Sequence, residues 1–231
     1  MLAAYTFSKY IEQVSALNET DANLERRISR DDIPHRFSAS GIFELPFGKG
    51  RKFGNHWNKT VDGVLGGWQL NAIYQWQSGR PLDLGGSNVY FNGDPSKLVA
   101  TITSANADPS RKVFDISGFY FHDTTVQTNG ADDFAKQRAD TRIQLANNIR
   151  YFPSRFSSFR GQNLNLWDIS VLKKINIYER LQMELRGEFL NAFNHVQFSD
   201  PQLSPTNAAF GRITGQANLP RNVQIGLKLI F

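Results

Sequence analysis

The side chains best suited to chemistry stand apart along this chain. Its four histidines, His35, His56, His122 and His195, are separated by long stretches of unrelated composition. A zinc site needs imidazoles, carboxylates or thiolates converging at about 2.0–2.3 Å, commonly from spacings such as His-x-x-x-His. No such spacing occurs, and the chain has no cysteine. We therefore expect no metal and no cofactor. A nucleophilic hydrolase needs a serine within reach of a histidine that a third group orients. Two pairs invite that reading, His35 with Ser38 and His195 with Ser199. In a strand the odd separation of the first pair sends its side chains to opposite faces. The second lies in a loop-like stretch without a nucleophile elbow. No catalytic residue is assigned.

Other short patterns carry less. "GKGRKFG", Gly48 to Gly54, has the glycines of a phosphate loop but neither the Gly-Lys-Ser/Thr ending nor a helical pattern after it, so we read a solvated turn. "NET" at Asn18 and "NKT" at Asn58 match glycosylation sequons, which short patterns do by chance. The run Glu19 to Asp32, "ETDANLERRISRDD", carries both signs and reads as a solvated loop. The excess of basic over acidic residues, 26 against 21, is dispersed, which excludes a nucleic-acid surface.

Around these residues the chain is built from alternation. It has 18 Phe and 18 Gly against 2 Met, a composition of strands and turns. Six segments have period two: 3–10, 35–45, 67–78, 163–174, 180–193 and 222–231. In the third, Trp68, Leu70, Ala72, Tyr74 and Trp76 oppose Gln69, Asn71, Ile73, Gln75 and Gln77. In the fifth, Leu181, Met183, Leu185, Gly187, Phe189 and Phe193 oppose Gln182, Glu184, Arg186 and Glu188. The last, "NVQIGLKLIF", puts Val223, Ile225, Leu227, Leu229 and the final Phe231 on one face. An apolar face of that length needs something to receive it.

No run of about 18 apolar residues exists, so no membrane-spanning helix is encoded. A transmembrane barrel needs only alternating segments of about 10 residues. The connections favour one. They run long, medium (46–66), very long (80–160), short (near "NIYER") and long (194–220). Outer-membrane barrels alternate short periplasmic turns with long extracellular loops in this way. The fold class expected is all-β: an antiparallel transmembrane β-barrel segment of about six main strands over residues 1–231, with a long extracellular loop at 80–160.

"DIPHRFSASGIFELPFGKGR", "LGGWQLNAIYQWQSGRPL", "NLWDISVLKK", "EFLNAFNHVQF" and "FGRITGQANLPRNVQIGLKLIF" resemble, in order, the C-terminal barrel region of Oar-like TonB-dependent receptors of Gram-negative bacteria. The likeness is weakest over 87–148. It implies an outer-membrane transporter with a barrel of about 22 strands around a plug. The family's signal peptide, N-terminal domain, plug and TonB box have no counterpart here, so we expect a C-terminal fragment that meets TonB only through absent N-terminal parts. The resemblance further implies that Phe231 is a membrane assembly signal read by the barrel assembly machinery. Outer-membrane lipid is the expected partner of the apolar face, with Trp68 and Trp76 as interfacial aromatics. The function implied is non-catalytic uptake of an unidentified ligand at the cell outer membrane. An outer-membrane barrel hydrolase is the alternative, and a soluble carbohydrate-binding β-sandwich the second. Tyr90, Phe91, Phe119, Tyr120 and Phe121 either contact ligand or pack the long loop against itself; we expect packing.

Overall fold

A computed structural model describes residues 1–85, 89–91, 94–103, 110–116, 119–121, 150, 152–178, 181–204 and 207–231. In chain order the elements are β1 (Leu2–Phe7), β2 (Ile11–Glu12), β3 (Arg27–Ile28), β4 (His35–Glu44), α1 (Lys59–Leu65), β5 (Trp68–Gln77), β6 (Pro81–Asp83) and β7 (Val89–Phe91). A 3-10 turn at Pro95–Lys97 precedes β8 (Phe119–Phe121), β9 (Arg155–Arg160), β10 (Leu164–Tyr178), β11 (Leu181–Leu190) and β12 (Asn222–Ile230).

Six of these strands form one antiparallel sheet in the order β1-β4-β5-β10-β11-β12. Each neighbour in the sheet is also the next long strand in the chain, so the layer is an up-and-down meander. It is open, with β1 and β12 as its edges. Directly paired residues share a face, and the register therefore sorts the side chains. One row runs Phe43, Leu70, Val171, Gly187, Ile225, and the next Gly41, Ala72, Ile169, Phe189, Val223. The opposite face carries rows such as Ile42, Asn71, Ser170, Glu188, Gln224. One apolar and one polar face result, as the alternation predicts.

By the up-and-down order, the three long connections, 8–34, 78–163 and 191–221, leave the sheet at one end, and 45–67 leaves it at the other. The described parts of the long connections add three two-stranded sheets, β2-β3, β6-β9 and β7-β8. They also hold the main hydrophobic cluster, to which the six-stranded sheet adds no residue; among the described residues of that sheet Leu172 alone is a buried apolar side chain. Leu82, Leu84, Phe91, Leu98, Val113, Phe114, Phe119, Phe152, Phe156, Phe159, Phe210 and Ile213 pack into one cluster. Its rings meet edge to face, Phe114 with Phe159 at 4.9 Å and with Phe210 at 5.6 Å. Expected loop packing thus holds for Phe91 and Phe119. The side chains of Tyr90, Tyr120 and Phe121, and all of His122, lie outside the described residues.

The β5–β10 pair continues into β6–β9 across a tight crossing. A Cβ on Gly79 would stand 1.9 Å from the Gly161 carbonyl oxygen, so only glycine lets the two backbones pass.

Four expectations need correction. The first strand ends at Phe7 rather than Tyr10, because the Tyr10 amide leaves the ladder to donate to Asp32 Oδ1. The fifth ends at Leu190 rather than 193. Asn191 there adopts φ 51°, and its side chain ties down the loop that follows, accepting from the His195 amide and donating to the His195 and Leu219 carbonyls. The fourth runs on to Tyr178. "GKGRKFG" is followed by a helix after all, the seven-residue α1, whose N-cap Asn58 accepts from the Val61 amide. No described helix is long and apolar enough to cross a membrane.

Candidate functional site

The apolar face carries an aromatic belt at its long-connection end. Phe7 meets His35 at 5.2 Å, Phe37 meets Tyr74 at 5.9 Å, Tyr74 stacks on Trp167 at 4.4 Å, and Trp167 meets Phe193 edge-on at 5.8 Å. The belt crosses four strands that are far apart in sequence. Trp76 pairs with Phe37 in it, and Trp68 stands at the other end of β5 on the same face. Eight residues separate the two indoles, about 26 Å along a strand at about 3.3 Å per residue, or roughly 20 Å vertically at a tilt near 40°.

Trp68 is anchored, its indole Nε1 donating to the Val64 carbonyl at 2.9 Å. Beside it the register puts a charge on the apolar face, for Lys173 pairs with Trp68 and Leu185. Lys173 is 4% exposed, with its ammonium over the Trp68 ring and bonded to the Gly66 carbonyl. The amine thus snorkels to the strand end and finds an acceptor there.

The polar face is a hydrogen-bonded lining. Gln69 donates to Asn71 at 2.8 Å and Asn71 to Ser170 at 3.1 Å. Arg186 bridges Glu184 at 3.0 Å and Glu188 at 3.5 Å along β11. Both signs alternate on it, as for a wall that faces a polar interior.

The long connections above the sheet form a cap with its own ion network. Arg27 binds Glu12 at 3.1 Å and Glu25 at 3.0 Å, and Arg155 binds Glu12 at 2.7 Å and approaches Asp83 at 3.6 Å. Asp32 is 2% exposed and takes Arg160 at 2.6 Å. The run Glu19 to Asp32 is therefore not simply a solvated loop: Asp32 binds Arg160 of β9, Glu25 binds Arg27, and Arg27 and Ser29 bond to Glu12, the carboxylate that Arg155 of β9 also holds. Burial alone would raise the Glu12 carboxyl, but hydrogen bonds from Ser29 and Arg27 and the charges of Arg155 and Arg27 outweigh it and hold the group below its usual range. Burial pulls the Arg150 guanidinium down from its usual value. Arg150 lies 4.4 Å over the Phe152 ring and donates to the Leu84 carbonyl at 2.6 Å. Asn18, the first sequon residue, trades two hydrogen bonds with the Arg150 backbone.

Two hollows open in this cap. One of about 230 Å³ is lined by Glu25, Arg27, Asp83, Arg150, Ser154 and Arg155 among others. The other, about 480 Å³, is bordered by Lys9, Arg26, Ile11 and Ile28 of β2–β3, and Phe156 of β9.

The sequence-predicted residues fall in different places. Trp68 and Trp76 share the apolar face, and Phe231 stands just past β12 at 97% exposure. His35 is bonded to the Tyr5 hydroxyl at 2.8 Å, and Ser199 donates to the Gly215 carbonyl at 3.0 Å. Neither His–Ser pair is joined. Among the described residues no three of His, Asp or Glu converge as a metal site. The cap network was missed: Glu12, Asp83, Arg155 and Arg160 have no periodicity, and the only local signal was the mixed charge of Glu19 to Asp32.

A family model described as an outer membrane beta barrel domain matches residues 1–224. No curated protein and no solved structure matches the chain. In barrels of the outer membrane the outward apolar band meets lipid and the longer loops lie on the extracellular side. A single six-stranded layer with one apolar and one polar face, in a chain matched over nearly its whole length, places this chain in the outer membrane beta barrel domain family, located in the cell outer membrane.

Proposed function

We propose that the chain forms part of the wall and outer cap of an Oar-like, TonB-dependent receptor that takes up a ligand without chemistry. The cap supports this reading most. The described parts of its connections fold on a core of their own, which suits a selective receptor mouth better than an open diffusion pore. The polar face supports it too, because alternating Arg186, Glu184, Glu188 and Lys228 suit a protein plug better than a water column. Open edges are not tolerated in hydrocarbon, so β1 and β12 pair with further strands that close the barrel. Coupling to TonB then runs through the plug and the segments joined to it.

The hydrolase alternative lacks an observation in its favour, since His35 and His195 are bonded to Tyr5 and the Asn165 carbonyl, not to serines.

Photo-crosslinking in the native outer membrane tests the proposal. A photoreactive residue at Gln75, on the polar face, should yield adducts with protein that fills the lumen, while one at Ile225 should yield adducts with lipid. Lipid adducts from both positions, or no protein adduct from Gln75, would sink the receptor reading.

A further inference from the structure

We propose that the larger hollow of the cap is a lipid site, which binds the phosphate of an anionic amphiphile from the outer leaflet. Its volume of about 480 Å³ lies within the usual range for small-molecule sites. No acidic side chain lines it, whereas Lys9, Arg26, Arg27 and Arg155 do. Two of these cations are already committed, for Arg27 and Arg155 share Glu12. Lys9 and Arg26 are not. Both are exposed, and neither makes a hydrogen bond or ion pair among the described residues. They remain available to an incoming anion.

The rest of the lining separates a lipid from a free anion. Ile11, Ile28 and Phe156 form an apolar wall beside the cations. Inorganic phosphate gains nothing from such a wall, whereas the first carbons of a phospholipid bury against it. Height gives the same answer. Lys9 follows Phe7 by two residues, about 7 Å along an extended chain, and the Phe7 ring belongs to the aromatic belt at 5.2 Å from His35. Such belts lie at the headgroup level. The hollow thus stands close to the level of lipid phosphates, within reach of an anion in the outer leaflet. The site is independent of what the barrel transports.

The test uses the protein in non-ionic detergent, titrated with dihexanoyl phosphatidic acid and followed by native mass spectrometry. Dihexanoyl phosphatidylcholine and inorganic phosphate are the comparison probes. Phosphatidic acid should bind saturably and more weakly as salt is added. Lys9→Gln should raise its Kd about five-fold, and the double variant with Arg26→Gln about thirty-fold, the effect expected of cations near a membrane surface. Protease resistance of the cap shows that each variant is folded. Equal binding by phosphatidylcholine would overturn charge recognition, and equal binding by inorganic phosphate would overturn the lipid as source. A double variant that binds like the wild type would overturn the site itself. None of these outcomes bears on the lumen crosslinks that decide the receptor reading.

Discussion

Phe159→Ala should loosen the cap while leaving the barrel wall standing. The ring is 0% exposed and lies edge-on to Phe114 at 4.9 Å, at the centre of a cluster drawn from four segments of the long connections. Truncating a buried Phe costs about 3–5 kcal/mol, because the lost transfer energy is joined by the cavity left behind. The six strands of the wall have no residue in that cluster, which meets them only through β6 and β9, the continuations of β5 and β10. The wall's own stability comes from ladders of strand pairing and from lipid. At about 1.4 kcal/mol per decade, a cost near 4 kcal/mol raises the open population of the cap roughly 10³-fold, and cleavage by an external protease follows that population when reclosing is fast. The assay is digestion of outer-membrane vesicles from outside, read beside the heat-dependent gel shift of the folded barrel. We expect cap cleavage to accelerate by at least 10²-fold with the gel shift unchanged. Cleavage within three-fold of wild type, or loss of the gel shift together with the cap, would refute the separation of cap core from wall.

Four further outcomes follow from the same geometry. Ala72→Arg, midway between Trp68 and Trp76 on the lipid face, should cost about 2–4 kcal/mol in refolding titrations, while Gln75→Arg on the polar face costs well under half of that; equal costs would reverse the face assignment. Because the folded Glu12 carboxyl is held below its ordinary value of 4.5, its contribution is intact at neutral pH, starts to fall below about pH 4.5 and is gone below the folded value. Cap protease resistance should follow that course, and Glu12→Gln should flatten it. Gly79→Ala should disturb the β5–β10 crossing, since its Cβ would overlap the Gly161 carbonyl at 1.9 Å; hydrogen exchange at Leu82 and Phe159 should then rise relative to that at Ile169. Phe231→Leu changes transfer energy by at most about 1 kcal/mol, so if the assembly machinery reads the ring, this variant should lower the heat-modifiable fraction several-fold while Phe231→Trp preserves it. A Leu variant that inserts as well as Phe would reduce the ring to packing.

The wall was legible in the sequence because each of its strands carries its own signal. Trp68 to Trp76 alternates without needing any partner, and a period of two survives in any antiparallel neighbour. Strand ends were less legible where a single side chain decides them. Asn191 stops β11 through its φ of 51° and its bonds to His195 and Leu219, and nothing before it in the strand announces this. The cap was illegible for a different reason. Its pairs, such as Glu12 with Arg155 and Asp32 with Arg160, join residues more than a hundred positions apart in segments without periodicity. Local reading sees unpaired charges there and assigns them to water. Lys173 shows the same limit, as a lysine on an apolar face that only the neighbouring turn makes tolerable.

The placement of the core follows from which solvent each part meets. In a transmembrane barrel the outward apolar band needs no hydrophobic interior of its own, which is why Ile225 and Leu227 can remain exposed on the wall. Above the aromatic belt the chain returns to water, and apolar residues must again be removed from it. Leu82, Phe114, Phe159 and Phe210 can do so only with one another, since the strands below present their apolar face to lipid. A core outside the barrel is therefore what long loops need in order to hold one shape. That shape is mechanically tied to the wall through the Gly79–Gly161 crossing and the Asp32–Arg160 pair, both at the junction of cap and strands. The crossing joins the cap to β5 and β10, and the ion pair joins the segment before β4 to the end of β9. β5 and β10 are in turn joined across the polar face by the Asn71–Ser170 bond, so the same two strands anchor the cap at their ends and carry the polar rows along their length.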